Sequence, residues 1–388
     1  MLLGGKESTS KMVDKKSTLL GKLYIVLLAI NGIMMFETDR DILYLFIDIL
    51  FIVMAFLAFP KLRQEDIRVL IIFLGWTVIT LPITDGGIGS VLTFVASTAL
   101  LIAYSPMCFD ETMKKVLIVG CLAGCIWMYR LSIPYSENYI LAKYFNKNSN
   151  VISMFSIYYF MILGVLTDLS KRKGKLLFLV AGVITTGALI NCRGRAAIIA
   201  AAAYVVFLLI PNRKWTPKRI MQLLTTIVVI GTSIPILYVL FYREGSDIQI
   251  FGKPLFTGRE EIWTEMFKLF KQKGFSFLIG LGSKVQLWNK ETNVHNNYFN
   301  IIANFGIIGY ALYFFAVFRF VRRASEGVRD ETIRKALLAF ICATLVLGFF
   351  ESTSFNNALA PFTCFGLIYA NGRLHNEKMM AMQTEQSL

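Results

Sequence analysis

The chain has 388 residues, 56% of them hydrophobic and 14% aromatic, with a mean hydropathy of +0.59 and a formal net charge of +15. This composition excludes a soluble globular enzyme and points to a polytopic membrane protein. Positive charge of this size would also suit nucleic acid, but the basic residues gather in loops between apolar runs, where they act as topology signals, so nucleic acid is not expected as a partner.

Twelve apolar runs are long enough, or nearly so, to cross a hydrocarbon core of about 30 Å. They fall at 20–36, 42–59, 68–83, 89–105, 115–132, 150–169, 175–191, 195–211, 219–241, 297–320, 334–350 and 355–371. The first lacks a small-residue cleavage site after it and is expected to stay as a span. The organisation expected is nine spans in 1–241 with a cytoplasmic N-terminus, an external loop at 242–296, three spans in 297–371 and a cytoplasmic tail at 372–388. Basic residues mark alternate loops, for example Lys61, Arg63 and Arg68; Lys114 and Lys115; Lys171, Arg172, Lys173 and Lys175; and Arg319, Arg322 and Arg323. Those loops are expected in the cytoplasm, together with both termini.

Several polar residues stand out along the chain. Asp48 sits near the middle of the second span, where a carboxylate is costly and faces a bundle interior in a hydrogen-bonding or a functional role. Asn148 and Asn150 precede the sixth span and suit either helix caps or contacts to sugar hydroxyls. Between the seventh and eighth spans, Asn191-Cys192-Arg193-Gly194-Arg195-Ala196 forms a tight turn. Arg193 and Arg195 there either snorkel to headgroup phosphates or clamp a substrate phosphate through paired guanidinium hydrogen bonds. The six cysteines lack the spacing of a zinc site and are read as packing residues, without a disulfide or metal role.

The 242–296 loop is the only sizeable soluble segment. Thr257 followed by Glu260 suggests a capping box. Ile262, Trp263, Met266, Phe267 and Phe270 then recur at helical spacing, predicting a short amphipathic helix on the outer surface, packed on the spans or dipping into headgroups. Arg259 opens that helix and is a second candidate phosphate clamp. The loop ends at His295-Asn296, one of only two histidines in the chain, and an imidazole can take a proton near neutral pH. Two glycines three apart, Gly306 and Gly309, follow inside the next helix and predict close packing there. Glu351 and Asn356 lie at the outer mouth after the eleventh span, as caps or sugar contacts.

These motifs resemble the superfamily of O-antigen polymerases and O-antigen ligases. His295-Asn296, nine residues, then Gly306-Ile307-Ile308-Gly309 is similar to the ligases' His-Asn, nine residues, Gly, two residues, Gly pattern. Cys192-Arg193-Gly194 resembles the family's Ser-Arg-Gly, with Cys192 in place of serine. Thr257-Gly258-Arg259-Glu260-Glu261-Ile262-Trp263 is similar to its Thr-Gly-Arg…Ile-Trp segment, and Asn148-Ser149-Asn150 to its Asn-Pro-Asn turn.

The resemblance implies an all-α bundle of about 12 transmembrane helices, like that of other membrane-embedded transferases, in a bacterial inner membrane with the site outside. It also implies inverting, metal-independent glycosyl transfer without a cofactor. His295 would be the general base toward an acceptor sugar hydroxyl. Arg193 and Arg259, with Arg195 nearby, would hold the pyrophosphate of an undecaprenyl-pyrophosphate-linked glycan donor. Asn296, Asn150, Asp48 and Glu351 are sugar-contacting or structural candidates. A polymerase, acting on a lipid-linked glycan acceptor with a chain-length regulator as a further partner, is the first expectation, because Tyr310 stands where the ligases tend to have Thr or Val. A ligase delivering glycan to lipid A-core or another acceptor is the alternative. A transporter or flippase is a third reading, disfavoured because the two halves show no internal repeat.

Overall fold

The computed structural model describes residues 4–34, 40–80, 99–137, 148–211, 215–241, 249–250, 253–254, 259–282, 294–353 and 359–387. The helices are α1 (Gly4–Met34), α2 (Arg40–Ala58), α3 (Gln64–Thr80), α4 (Glu111–Glu137), α5 (Ser149–Leu166), α6 (Arg172–Asn191), α7 (Arg195–Leu209), α8 (Pro217–Phe241), α9 (Arg259–Gln272), α10 (Ser276–Ile279), α11 (Asn297–Gly327), α12 (Glu331–Leu347) and α13 (Ala360–Ser387). Apart from them the described residues contain a helical stretch at 99–103, a 3₁₀ turn at Phe59–Lys61 and a minimal antiparallel pairing of Gln249–Ile250 with Lys253–Pro254.

Five of these helices, α4, α5, α6, α8 and α11, are long and apolar enough to cross a membrane, and shorter apolar stretches lie at Ser17–Gly32, Ile49–Ala58 and Arg195–Leu209. This supports a multi-pass membrane protein. The count of twelve spans is not reached among the described residues. The run at 89–105 falls mostly outside them, and α12 is 17 residues long. The side chain of Asp48, the Thr257 end of the expected capping box and Asn356 also lie outside the described residues.

Helix α5 is the centre of the bundle, packed against α4, α6, α7, α12 and α13, with most of its length buried. Its sequence explains this, because apolar residues run round all its faces and buried Ser153 and Ser156 return their hydroxyls to carbonyls one turn back. Asn148 caps its start by accepting from the Asn150 N–H at 3.0 Å.

The bundle has two chemically different ends. At one, the α5–α6 turn, the start of α12 and Arg373 line a common cavity with Lys114. On the same side Arg323 pairs with buried Asp66 at 2.7 Å and donates to Asn371 at 3.1 Å. The other end carries the α6–α7 turn, the start of α11 and the segment after α12. Among the described residues, the basic loops identified in the sequence therefore share one end, and Arg193, Arg195, His295, Asn296 and Glu351 share the other.

Candidate active site

Helix α11 is built to start abruptly. Asn296 is its N-cap, its Oδ1 accepting from the Phe299 N–H at 2.9 Å. The Asn296 side chain is fully buried, and its amide donates to the carbonyls of Gly231 at 3.1 Å and Phe349 at 3.0 Å. The Gly231 carbonyl needs such a donor because Pro235, four residues on in α8, has no N–H to offer it. Gly231 also admits the Tyr298 ring, which would collide with any Cβ there, and the Tyr298 hydroxyl donates to Leu345 O at 2.8 Å. The Asn297 N–H donates to Gly348 O at 2.8 Å. One residue thus ties α8, α11 and the end of α12 together beside His295.

Nine residues further on, Gly306 breaks α11 with φ 67° and ψ −178°, a conformation essentially restricted to glycine. A Cβ there would strike the Leu278 carbonyl of α10. Carbonyls flanking the break take partners from elsewhere: Ala303 O accepts from Leu281 N at 2.6 Å, and Phe305 O accepts from Trp76 Nε1 at 2.9 Å. The backbone of Gly309 lies against Phe305 and Trp76. The spaced glycines therefore let α10 and α3 close on α11.

The amphipathic helix predicted after Arg259 is α9, and it packs on the spans. Ile262, Trp263, Met266 and Phe270 are buried against Phe299, Ile302 and Ala303 of α11, with Ile234 and Tyr238 of α8 alongside. Each such side chain removed from water contributes about 1.5–3 kcal/mol. The Trp263 indole donates to Val294 O at 2.8 Å, fixing α9 to the residue before His295. Glu260 and Glu261 in its first turn and Lys271 in its last complement the helix dipole.

Two non-glycine residues among those described have positive φ: Arg193 at 52° and His295 at 51°. Each pays a left-handed backbone cost of about 1–2 kcal/mol. Both are residues that the sequence singled out for chemistry, and strain of this kind gathers at functional sites. Arg193 is exposed on the α6–α7 turn, where Gly194 packs directly on Ser153 of α5. Arg195 is the first residue of α7, with its N–H on the Arg193 carbonyl at 3.0 Å.

Glu351 joins the site in a way the sequence did not specify. Its buried carboxylate takes the Arg259 guanidinium at 2.9 Å through Oε1 and faces His295 Nδ1 at 3.4 Å through Oε2. The side chains of Glu351 and Arg259 are 7% and 11% exposed, and that of His295 is 27% exposed. The carboxylate thus has two protein partners, one on each oxygen. In the tautomer that carries its proton on Nδ1, the ring donates to Glu351 and Nε2 is the unprotonated nitrogen. The only sequence signal was a lone glutamate closing an apolar run. Asn150 is exposed at the start of α5, and its backbone N–H satisfies the Asn148 cap. Among the described residues no group of three or more His, Cys, Asp or Glu is placed to hold a metal, and the six cysteines are free thiols.

A comparison with curated proteins gives no match. Residues 178–314 match the sequence family described as O-antigen ligase. That segment runs from within α6 into α11 and contains Arg193, Arg259, His295, Gly306 and Gly309, while Glu351 lies beyond it. The match over 178–314 supports the resemblance of this chain to the O-antigen polymerase and ligase superfamily.

Proposed function

We propose that the protein is a polysaccharide polymerase. In this reading it transfers glycan from an undecaprenyl-pyrophosphate-linked donor to a lipid-linked repeat unit by inverting, metal-independent chemistry. The observation that carries the reading is the His295–Glu351–Arg259 constellation. A partly exposed imidazole is held in a strained backbone conformation, and its inner nitrogen faces a buried carboxylate that also holds an arginine.

His295 Nε2 takes the proton of the acceptor hydroxyl as that oxygen attacks the anomeric carbon, a step worth about 100- to 10,000-fold. Glu351 orients the ring and stabilises the imidazolium that forms. Arg259, with Arg193 and Arg195 at the same end of the bundle, binds the pyrophosphate and offsets the charge it gains on leaving. The basic end is cytoplasmic, both termini lie there, and the site opens outside a bacterial inner membrane.

The family match favours a second reading, a ligase passing the finished glycan to lipid A-core or another acceptor. Tyr310 bears on this choice, because its hydroxyl lies 2.6 Å from Thr232 and joins α11 to α8 at a position where the ligase pattern tends to have Thr or Val. Deletion of the gene separates the two. Loss of a polymerase collapses a ladder of long chains to a single short band on the final acceptor. Long chains that persist on undecaprenyl pyrophosphate, with none on the acceptor, would assign the ligase role.

A further inference from the structure

At the basic end, far from His295, the flank of the bundle carries a groove of about 460 Å³ between α6, α7 and the start of α12. That volume lies within the usual range for ligand sites. Its walls are Phe178, Leu179, Val205, Leu208 and Leu209, and its lip carries Lys175 and Lys335. No carboxylate lines it. Leu179 and Leu209 expose 63% and 75% of their surface, so the apolar wall is open to the side. Around the corner, sharing Ser170 and Thr332 with the groove, is a polar cavity of about 310 Å³ with Lys114 and Arg373. Its two carboxylates are occupied: Asp168 by Ser170 and Lys171, and Asp330 by the first N–H groups of α12.

We infer that this groove is a binding site for an anionic glycerophospholipid, with an acyl chain along Leu208 and Val205 and the headgroup phosphate between Lys175 and Lys335. An apolar slot alone would accept any lipid chain. Two lysines at its mouth, with no opposing carboxylate among the lining residues, select a negative headgroup. A basic residue near an anionic surface gives roughly fivefold in affinity, so the pair should give about 20- to 30-fold.

The test is native mass spectrometry of the full-length protein in detergent, titrated separately with phosphatidylglycerol and phosphatidylcholine. The wild type should retain phosphatidylglycerol about 20-fold better. Lys175→Gln with Lys335→Gln should remove that preference and leave phosphatidylcholine retention unchanged. Leu208→Trp, which fills the slot, should lower retention of both lipids. Arg172→Gln with Lys173→Gln, on the same turn but outside the groove, should keep the full preference. The inference is overturned if the wild type shows no headgroup preference, if the Lys175/Lys335 pair keeps it, or if the Arg172/Lys173 pair loses it equally. None of these readouts depends on glycan transfer.

Discussion

Replacing Asn296 tests how the site is held. In Asn296→Ala the buried carbonyls of Gly231 and Phe349 lose their side-chain donor, and the first turn of α11 loses its cap. An abandoned buried polar group costs about 1–3 kcal/mol and a lost cap about 1 kcal/mol, so the expected destabilisation is roughly 3–5 kcal/mol. Asn296→Asp keeps the capping oxygen but sets it against two carbonyls, and should be no more stable than the alanine variant. Pro235→Ala returns an N–H to α8, where it can satisfy Gly231 O within the helix. Asn296→Ala should then cost about 1–2 kcal/mol less in the Pro235→Ala background than in the wild type. Denaturant midpoints of the four proteins in one detergent, followed by circular dichroism, give the coupling. If the two substitutions add to within about 0.5 kcal/mol, Asn296 does not serve the carbonyl freed by the proline, and the reasoning fails.

His295→Ala and His295→Gly should each lower transfer by at least about 100-fold. Because the position is left-handed, the glycine variant should be the more stable of the two by about 1 kcal/mol; equal midpoints would mean that the backbone is not strained there. Arg193→Lys should lose most activity in a reconstituted transfer assay if paired hydrogen bonds to phosphate are needed, whereas full activity would reduce the role to a point charge. Gly306→Ala forces a Cβ into the Leu278 carbonyl and an L-residue into a glycine conformation. It should cost about 3 kcal/mol or more, read as loss of monodisperse protein on gel filtration. A well-folded alanine variant would show that the break in α11 does not need glycine.

Composition and loop charge determined the class of this protein by themselves, because a lipid core demands long apolar segments and leaves basic residues to collect at one end. The start of α11 at Asn297 was legible because a long, mostly apolar run begins there after the polar loop. His295, Arg193 and Arg259 were legible as candidates for chemistry because few other residues at that end could carry it. Three features were decided by tertiary structure alone. Glu351 stands 56 positions after His295, and only the return of α12 beside α11 brings its carboxylate to both the imidazole and Arg259. The structural task of Asn296 depends on a proline in another helix, and hydrophobic periodicity carries no record of which carbonyl a distant proline leaves unpaired. The seat of α9 was equally open in the sequence, since an amphipathic stripe fits lipid or protein alike. Packing settled it because α8 and α11 present an apolar surface with a carbonyl, Val294 O, placed to receive the indole N–H of Trp263.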